Sequence, residues 1–82
     1  MARKLVEHAK RLDADKAVRL VRAAGKFRSL ITLETGGKQV NAKSLMGVMT
    51  LEKENSNVIL VTASGSDEKK AADAVAALLL EG

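Results

Sequence analysis

The residues best placed to do chemistry lie around Ser44, which begins a short apolar run containing Leu45, Met46 and Met49. A serine hydroxyl can be phosphorylated, and a phosphate adds about −1.5 to −2 charges at neutral pH. Methionine thioethers are flexible and polarizable, so an exposed pair suits a surface that adapts to a partner, although both could instead fill the core. A modifiable hydroxyl beside apolar neighbours indicates a docking protein. Ser44 could also serve only as a helix N-cap.

Enzymatic chemistry is not expected from this sequence. It contains no nucleophile–base pair, metal-binding cluster or glycine loop that could cradle a phosphate, and we expect no cofactor. The only histidine is His8, and a lone histidine away from other candidate residues is more often inert than catalytic. Asp13 could accept a phosphoryl group as an acyl phosphate, but aspartate is a preferred helix N-cap and we favour that role.

Residues 14–24 predict an amphipathic helix, because apolar side chains recur at steps of three and four. They are Ala14, Ala17, Val18, Val21 and Ala24. Asp13 or Asp15 is expected to cap the first turn, and Gly25 to end the helix. A second stripe of this helix is basic and consists of Lys16, Arg19, Arg22 and Lys26. It could dock acidic partners or be only a solvated face.

The middle of the chain predicts a hairpin, a short helix and a strand. Residues 29–34 and 39–42 flank a Gly-Gly turn and form the hairpin, with Leu30 on its polar face. Residues 45–51 predict a turn or two of helix that needs tertiary contacts to be stable. Residues 58–63 are rich in β-branched side chains and predict a central strand.

The two ends of the chain predict a helix and an ambiguous segment. The C-terminal helix is expected to be capped by Ser66, with a buried stripe of Ala71, Ala72, Val75, Leu78 and Leu79. Residues 4–9 have helical spacing, but the strand at 58–63 needs a neighbour, so we favour a strand. We expect one core formed by Val18, Val21, Phe27, Ile31, Val40, Val61, Val75 and Leu79.

Composition narrows the class of protein. The chain has 82 residues, which leaves room for one domain spanning residues 1–82. It has no Cys, Trp or Tyr and one Phe, which excludes disulfides and argues against base stacking. The net charge is +4, but the cations are interspersed with carboxylates, which argues against a nucleic-acid footprint. No apolar run approaches the roughly 18 residues of a membrane span, no signal-peptide core is present, and we expect a cytoplasmic protein.

Several segments share a pattern with a known family. They are residues 23–29 (AAGKFRS), 37–44 (GKQVNAKS), 41–49 (NAKSLMGVM) and 63–68 (ASGSDE). From Leu12 to the C-terminus the chain resembles the HPr family, the small carriers of the bacterial sugar phosphotransferase system. The resemblance implies an α/β (α+β) fold of order β-α-β-β-α-β-α. This fold is an open-faced sandwich, in which helices cover one face of a four-stranded antiparallel sheet.

The family's carrier site has the form Gly-Leu-His-Ala-Arg-Pro-Ala, and residues 11–17 here are RLDADKA. Asp13 stands where the resemblance calls for the carrier histidine, and Asp15 where it calls for the arginine. Carrier chemistry needs an imidazole nitrogen as nucleophile, and the arginine would stabilise the phosphate charge. Asp15 would instead repel a phosphoryl dianion. We therefore expect no carrier chemistry at this degenerate site.

The resemblance implies a regulatory role, as in relatives that lack the carrier histidine and keep the serine. Ser44 would then be phosphorylated by an HPr serine kinase/phosphorylase, with Lys43 helping to neutralise the phosphate, and a catabolite-control transcription factor would be the partner. The implied docking residues are Lys16, Arg19, Arg22, Lys26, Leu45, Met46 and Met49. One alternative is a phosphocarrier with an altered site that works with phosphotransferase enzymes in sugar transport. Another, from a different class, is a small basic nucleic-acid-binding module.

Overall fold

The computed structural model describes residues 1–54 and 56–81, and within them the chain forms four strands and three helices. The strands are β1 (Ala2–Val6), β2 (Leu30–Thr35), β3 (Lys38–Asn41) and β4 (Ile59–Ser64). The helices are α1 (Ala14–Gly25), α2 (Leu45–Thr50), which a 3-10 turn (Leu51–Lys53) extends, and α3 (Glu68–Leu80). The strands pair antiparallel in the order β1-β4-β2-β3. This is the architecture that the resemblance implied.

The N-terminal segment is a strand, which confirms the favoured prediction over the helical alternative. It covers Ala2–Val6 and therefore begins and ends earlier than the predicted residues 4–9. Its pairing with β4 places Leu5 opposite Leu60 and Val6 opposite Ile59. Because β4 is an interior strand of the sheet, its backbone groups need a partner on both sides. That pairing outweighs the weak helical preference of the segment.

One sheet face is buried and the other is open. Along β4 the side chains of Ile59, Val61 and Ala63 are buried, and the side chains between them are more exposed. In β2, Ile31 and Leu33 are buried on the same face, while Leu30 is 59% exposed, as predicted. Helices α1 and α3 contact each other, and α3 also packs on β1 and β4. The helices thus cover the buried face.

Most of the predicted core is confirmed. Ile31, Val61, Val75 and Leu79 are fully buried, and Val21, Phe27 and Val40 are partly buried and pack against the core. Val18 was a wrong choice, because it is only half-buried and lies outside this cluster. The deepest side chain of α1 is Leu20, which together with Ala17 and Ala24 faces the interior. The predicted stripe on α1 therefore included much of the true buried face, Ala17, Val21 and Ala24, but missed Leu20.

The start of α3 differs from the prediction. Ser66 does not cap this helix, because the residue that precedes its first turn is Asp67, whose side chain makes no capping hydrogen bond. The Asp67 carboxylate instead accepts hydrogen bonds from the Arg28 N–H (2.9 Å), the Ser29 N–H (3.0 Å) and the Ser29 hydroxyl (2.6 Å). Gly65 adopts φ +153°, and a Cβ there would lie 2.7 Å from the Ser29 Cα. The turn before α3 is thus fastened to the start of β2.

The packing of α3 predicts a large stability difference between two adjacent leucines. Leu79 is fully buried, whereas Leu80 is 50% exposed. We expect Leu79→Ala to lower the free energy of unfolding by about 2–5 kcal/mol, because it leaves a cavity in the core. Leu80→Ala should change it by less than about 0.5 kcal/mol. Urea unfolding followed by far-UV circular dichroism measures both, and similar losses in the two variants would contradict this packing.

The hydrogen bonds of Asp67 predict a pH-dependent contribution to stability. The Ser29 hydroxyl, followed by the Arg28 N–H, lowers the pKa of Asp67 below its ordinary value of 3.8. A carboxylate whose pKa is lower in the folded state stabilises the fold above the unfolded-state pKa, and the effect is lost as pH falls through the folded-state pKa. Asp67→Asn should therefore lower the urea midpoint at neutral pH, and its difference from the wild type should shrink in acid.

The matched control for this experiment is Asp73→Asn. The Asp73 carboxylate lies 3.0 Å from the Lys4 ammonium, and both side chains are half exposed. Surface ion pairs of this kind contribute little to stability. We expect Asp73→Asn to leave the urea midpoint nearly unchanged at every pH. If both variants shift the midpoint equally, the hydrogen bonds of Asp67 to Ser29 and Arg28 do not stabilise the fold more than a surface ion pair does.

Candidate functional site

Ser44 is the N-cap of α2. Its backbone is extended (φ −102°, ψ 113°), and its hydroxyl oxygen accepts a hydrogen bond from the Gly47 N–H at 3.2 Å. The Ser44 carbonyl accepts from the Val48 N–H at 2.9 Å, which begins the helical ladder. The residue is exposed. Ser44 thus occupies the predicted position, with a hydroxyl that both caps the helix and is accessible.

An apolar surface follows Ser44 directly. The exposed fractions are 40% for Leu45, 83% for Met46 and 39% for Met49. Val48 is fully buried and Leu51 is 4% exposed, so these two side chains anchor the segment to the core. A helix of this length is not stable alone in water. We call Leu45, Met46 and Met49 the apolar patch. The exposure of the two methionines favours a role in partner contact over a role in filling the core.

Lys43 joins this segment to the loop between α1 and β2. Its ammonium donates a hydrogen bond to the Phe27 carbonyl at 2.7 Å, and its backbone N–H donates to the Asn41 side chain at 2.8 Å. The Phe27 N–H in turn donates to the Ala24 carbonyl at the end of α1. The amine expected to neutralise a Ser44 phosphate is therefore already bound to a backbone carbonyl. Its contact couples the start of α2 to the end of α1.

The basic stripe of α1 is only partly a free surface. Arg22 and Lys26 are exposed, but Arg19 pairs with the Glu81 carboxylate at 3.0 Å. Lys16 departs from the expected docking role, because its side chain is 5% exposed and its ammonium donates to the Glu81 carbonyl. Cations near the end of a helix interact favourably with its free carbonyls. Lys16 thus links the C-terminal end of α3 to α1, whereas the Arg19–Glu81 pair is half exposed and adds little to stability.

The pKa of Lys16 reflects this position. Burial lowers the pKa of its ammonium below the ordinary value of 10.5, and the charge of Arg19 adds to the effect. The carboxylates of Glu81 and Asp13 oppose it, because they favour the charged form. Lys16 is therefore a buried cation that serves packing, and it is not presented to a partner.

The two carboxylates of the degenerate site lie at the start of α1. The Asp13 carboxylate accepts from the Lys16 N–H at 2.9 Å, so Asp13 is the N-cap that the sequence predicted as one of two candidates. Asp15 is exposed in the first turn. The helix ends at Gly25, but Lys26, with ordinary right-handed geometry, is the C-cap. His8 is exposed in the bend after β1 and lies outside α1.

The structure thus gives two groups of candidate residues. Ser44 and the apolar patch lie together on α2, and Asp13, Asp15 and Lys16 lie together at the start of α1. In the described part of the chain, no group of three or more acidic or histidine side chains could hold a metal ion. None of the described helices has the length and apolar character to cross a membrane.

Besides the Lys43 contact, the sequence analysis missed two long-range interactions near helix starts, and neither leaves a local signal. The Asp67 contact with Ser29 joins residues 38 positions apart. The Lys16 contact joins residues 65 positions apart. From the neighbouring sequence, Asp67 and Lys16 are ordinary polar residues at the start of a helix. Only the tertiary fold brings their partners close.

Comparison with known proteins gives the family. The family model described as the PTS HPr component phosphorylation site matches residues 2–81. The chain belongs to the HPr family. It is 45% identical over 67 residues to the phosphocarrier protein HPr of Xylella fastidiosa, an alignment that covers 82% of this chain and 75% of that protein. Its fold and its membership identify it as an HPr-like protein of the phosphotransferase system.

Two solved structures of HPr proteins illustrate the range of relatives. The HPr of Bacillus anthracis superposes with a TM-score of 0.86 at 38% identity, over 95% of both chains. Crh, the Bacillus subtilis catabolite repression HPr, superposes in its solution structure with a TM-score of 0.74 at 38% identity, over 99% of both chains. Among these two structures, the identity to the protein named as a phosphocarrier equals the identity to the one named for catabolite repression.

Proposed function

We propose that this HPr-like protein acts by regulated docking and does not carry phosphoryl groups from phosphoenolpyruvate. The observation that carries the proposal is the contrast between its two sites. The start of α1 offers the carboxylates of Asp13 and Asp15 where carrier chemistry needs a nucleophilic imidazole and a cation. The start of α2 offers an exposed serine beside an exposed apolar patch. The first arrangement disfavours phosphoryl transfer, and the second suits a switchable contact.

Ser44 is the proposed regulatory phosphorylation site, with a kinase of the HPr serine kinase/phosphorylase class as the modifying enzyme. The hydroxyl is accessible, and modification does not require any buried side chain to move. A phosphate would add about −1.5 to −2 charges at the head of α2, where the N–H of Gly47 already points toward the serine oxygen. The proposed change is therefore in surface charge, with the fold retained.

The proposed docking surface combines the apolar patch with the exposed cations Arg22 and Lys26. Contacts between α1 and α2 place the two helices side by side. Lys16 and Arg19 are left out of this surface, because one is buried and the other is paired with Glu81. The partner is proposed to be a catabolite-control transcription factor. The name of Crh as the catabolite repression HPr and the similarity of its fold support this choice.

A phosphocarrier with an altered site is the second candidate. The name of the Xylella fastidiosa relative favours it, and the family interacts with phosphotransferase enzymes. Against it stands the chemistry at the start of α1. The Asp13 carboxylate is already used as a helix cap, and Asp15 places a second negative charge in the first turn. Neither residue can stabilise an incoming dianion.

The two candidates differ in a phosphotransfer assay. We expect the wild-type protein to show no phosphoryl adduct after incubation with phosphoenolpyruvate and the general phosphotransferase enzyme, measured by intact-protein mass spectrometry. The combined change Asp13→His and Asp15→Arg should recover partial acceptance, because it supplies a nucleophile and a cation. An adduct on the wild-type protein would contradict the proposal.

The matched control for this assay is Asp13→Asn. Asparagine keeps the capping hydrogen bond to the Lys16 N–H but removes the carboxylate. The histidine variant should lose about 1 kcal/mol of stability when that cap is lost, whereas Asp13→Asn should lose much less. Failure of the asparagine variant to accept phosphate, beside success of the double variant, assigns the recovery to the imidazole and the new cation.

The regulatory role predicts a Ser44-dependent gain in binding. We expect an HPr serine kinase to phosphorylate the wild-type protein but not Ser44→Asn, in which the side chain can still cap α2. The phosphorylated protein should bind a catabolite-control transcription factor more tightly than the unmodified protein, as measured by titration calorimetry.

Ser66→Ala controls for specificity, since Ser66 is exposed and lies outside the site. It should be phosphorylated like the wild type. Equal phosphate incorporation into Ser44→Asn would place the modification elsewhere, and equal affinity of the modified and unmodified proteins would remove the docking mechanism while leaving the family assignment intact.

A further inference from the structure

The two methionines of α2 line a surface groove together with Thr50 and Glu52. Met46 is 83% exposed and Met49 is 39% exposed, so a dissolved oxidant can reach both thioethers without any opening of the fold. The chain has three methionines and no cysteine. Thioethers are therefore the only sulfur groups that compete for a mild oxidant, and two of them lie within the proposed docking surface.

The groove offers little to satisfy a new oxygen. The Thr50 hydroxyl donates to the Gly47 carbonyl at 2.6 Å, so its hydrogen is already used. The Glu52 carboxylate can only accept hydrogen bonds when ionised. Among the described side chains that line the groove, none is thus free to donate a hydrogen bond to an oxygen on Met46 or Met49. The Arg11 guanidinium lies 3.6 Å from the Glu52 carboxylate but does not line the groove. Such an oxygen therefore depends on water, and an apolar partner surface that covers the groove removes that water.

We propose that Met46, and more slowly Met49, are sites of reversible oxidation that switch off docking at α2, independently of Ser44. In the step, a sulfur lone pair attacks one oxygen of hydrogen peroxide. The O–O bond breaks as the S–O bond forms, the sulfur loses two electrons, and the other oxygen leaves as water after a proton shift. The product is methionine sulfoxide, a polar group that methionine sulfoxide reductases return to the thioether. The inference rests on the proposed docking function.

The expected loss of binding follows from the buried oxygen. A polar group that loses its water without gaining a partner weakens association, and the usual penalty corresponds to about a ten- to hundredfold rise in Kd. The fold itself should not respond, because Met46 and Met49 are exposed and the anchoring side chains Val48 and Leu51 carry no oxidisable group. Oxidation is thus expected to change the surface and leave the core intact.

The test uses the full chain phosphorylated at Ser44, treated with hydrogen peroxide, and titrated against the transcription factor. Peptide mass mapping should show faster oxygen uptake at Met46 than at Met49. Circular dichroism and the thermal midpoint should be unchanged, affinity should fall about ten- to hundredfold, and a methionine sulfoxide reductase should restore it. The double variant Met46→Leu, Met49→Leu is the control, because it has no thioether in the groove, so its affinity, whatever the starting value, should be the same before and after peroxide.

Each other outcome is decisive. Unchanged affinity after complete oxidation of both methionines overturns the inference and leaves the docking function standing. If the leucine control loses affinity after peroxide, the effect belongs to another group and the inference is overturned. Unfolding of the wild-type protein on oxidation also overturns it. Absence of binding by the untreated phosphorylated protein overturns the docking function itself, and the inference with it.

Discussion

The structure depends on the burial of one face of its sheet beneath α1 and α3. No disulfide is available to a chain without cysteine, so apolar burial must supply most of the stability. The inward face of α3 is built largely from small residues: Ala71, Ala72 and Ala76 are buried there with Val75 and Leu79. Small side chains let a helix lie close to a sheet, which places the few large side chains in tight contact. The packing of α1 and α3 on the sheet therefore fixes the positions of the candidate sites on the surface.

Residues of the degenerate carrier site and their neighbours take part in the packing of α1 against α3. Asp13 caps α1, and Lys16 in its first turn donates to the Glu81 carbonyl just after α3, where Arg19 also pairs with the Glu81 carboxylate. The Lys10 N–H donates to the Leu79 carbonyl at 2.8 Å on the same side. The segment aligned with the family's carrier site thus contributes Lys16, which links the two covering helices to each other. The resemblance calls for proline at position 16, which has neither the N–H that Asp13 accepts nor an ammonium.

Sequence reasoning predicted the elements well because their signals are local. Alternation around a Gly-Gly turn identified the hairpin, whose Gly36 and Gly37 have positive φ as a tight turn requires. The strand at the N-terminus needed one non-local argument, the need of β4 for a neighbour. What failed was the choice among locally similar side chains. Val18 and Leu20 are both apolar residues of α1, and only packing decides which is buried. Ser66 and Asp67 are both good caps, but the N–H groups of Arg28 and Ser29 compete for Asp67.

The candidate site shows the same division. The position of Ser44 could be predicted, because a capping residue before a short apolar run is a local pattern. The exposure of Met46 and Met49 could not, since the same pattern also fits methionines that fill a core. The engagement of Lys43 by the Phe27 carbonyl could not, since it depends on how α1 ends beside α2. That contact matters for the mechanism. Helix α2 has too few residues to hold its shape alone, and it is fixed by Val48 and Leu51 in the core and by Lys43 at its start. A charge added at Ser44 therefore acts on a helix that is already held in place by its buried side chains and by Lys43. The charge is then expected to change which partners the surface binds, and not the shape of the surface.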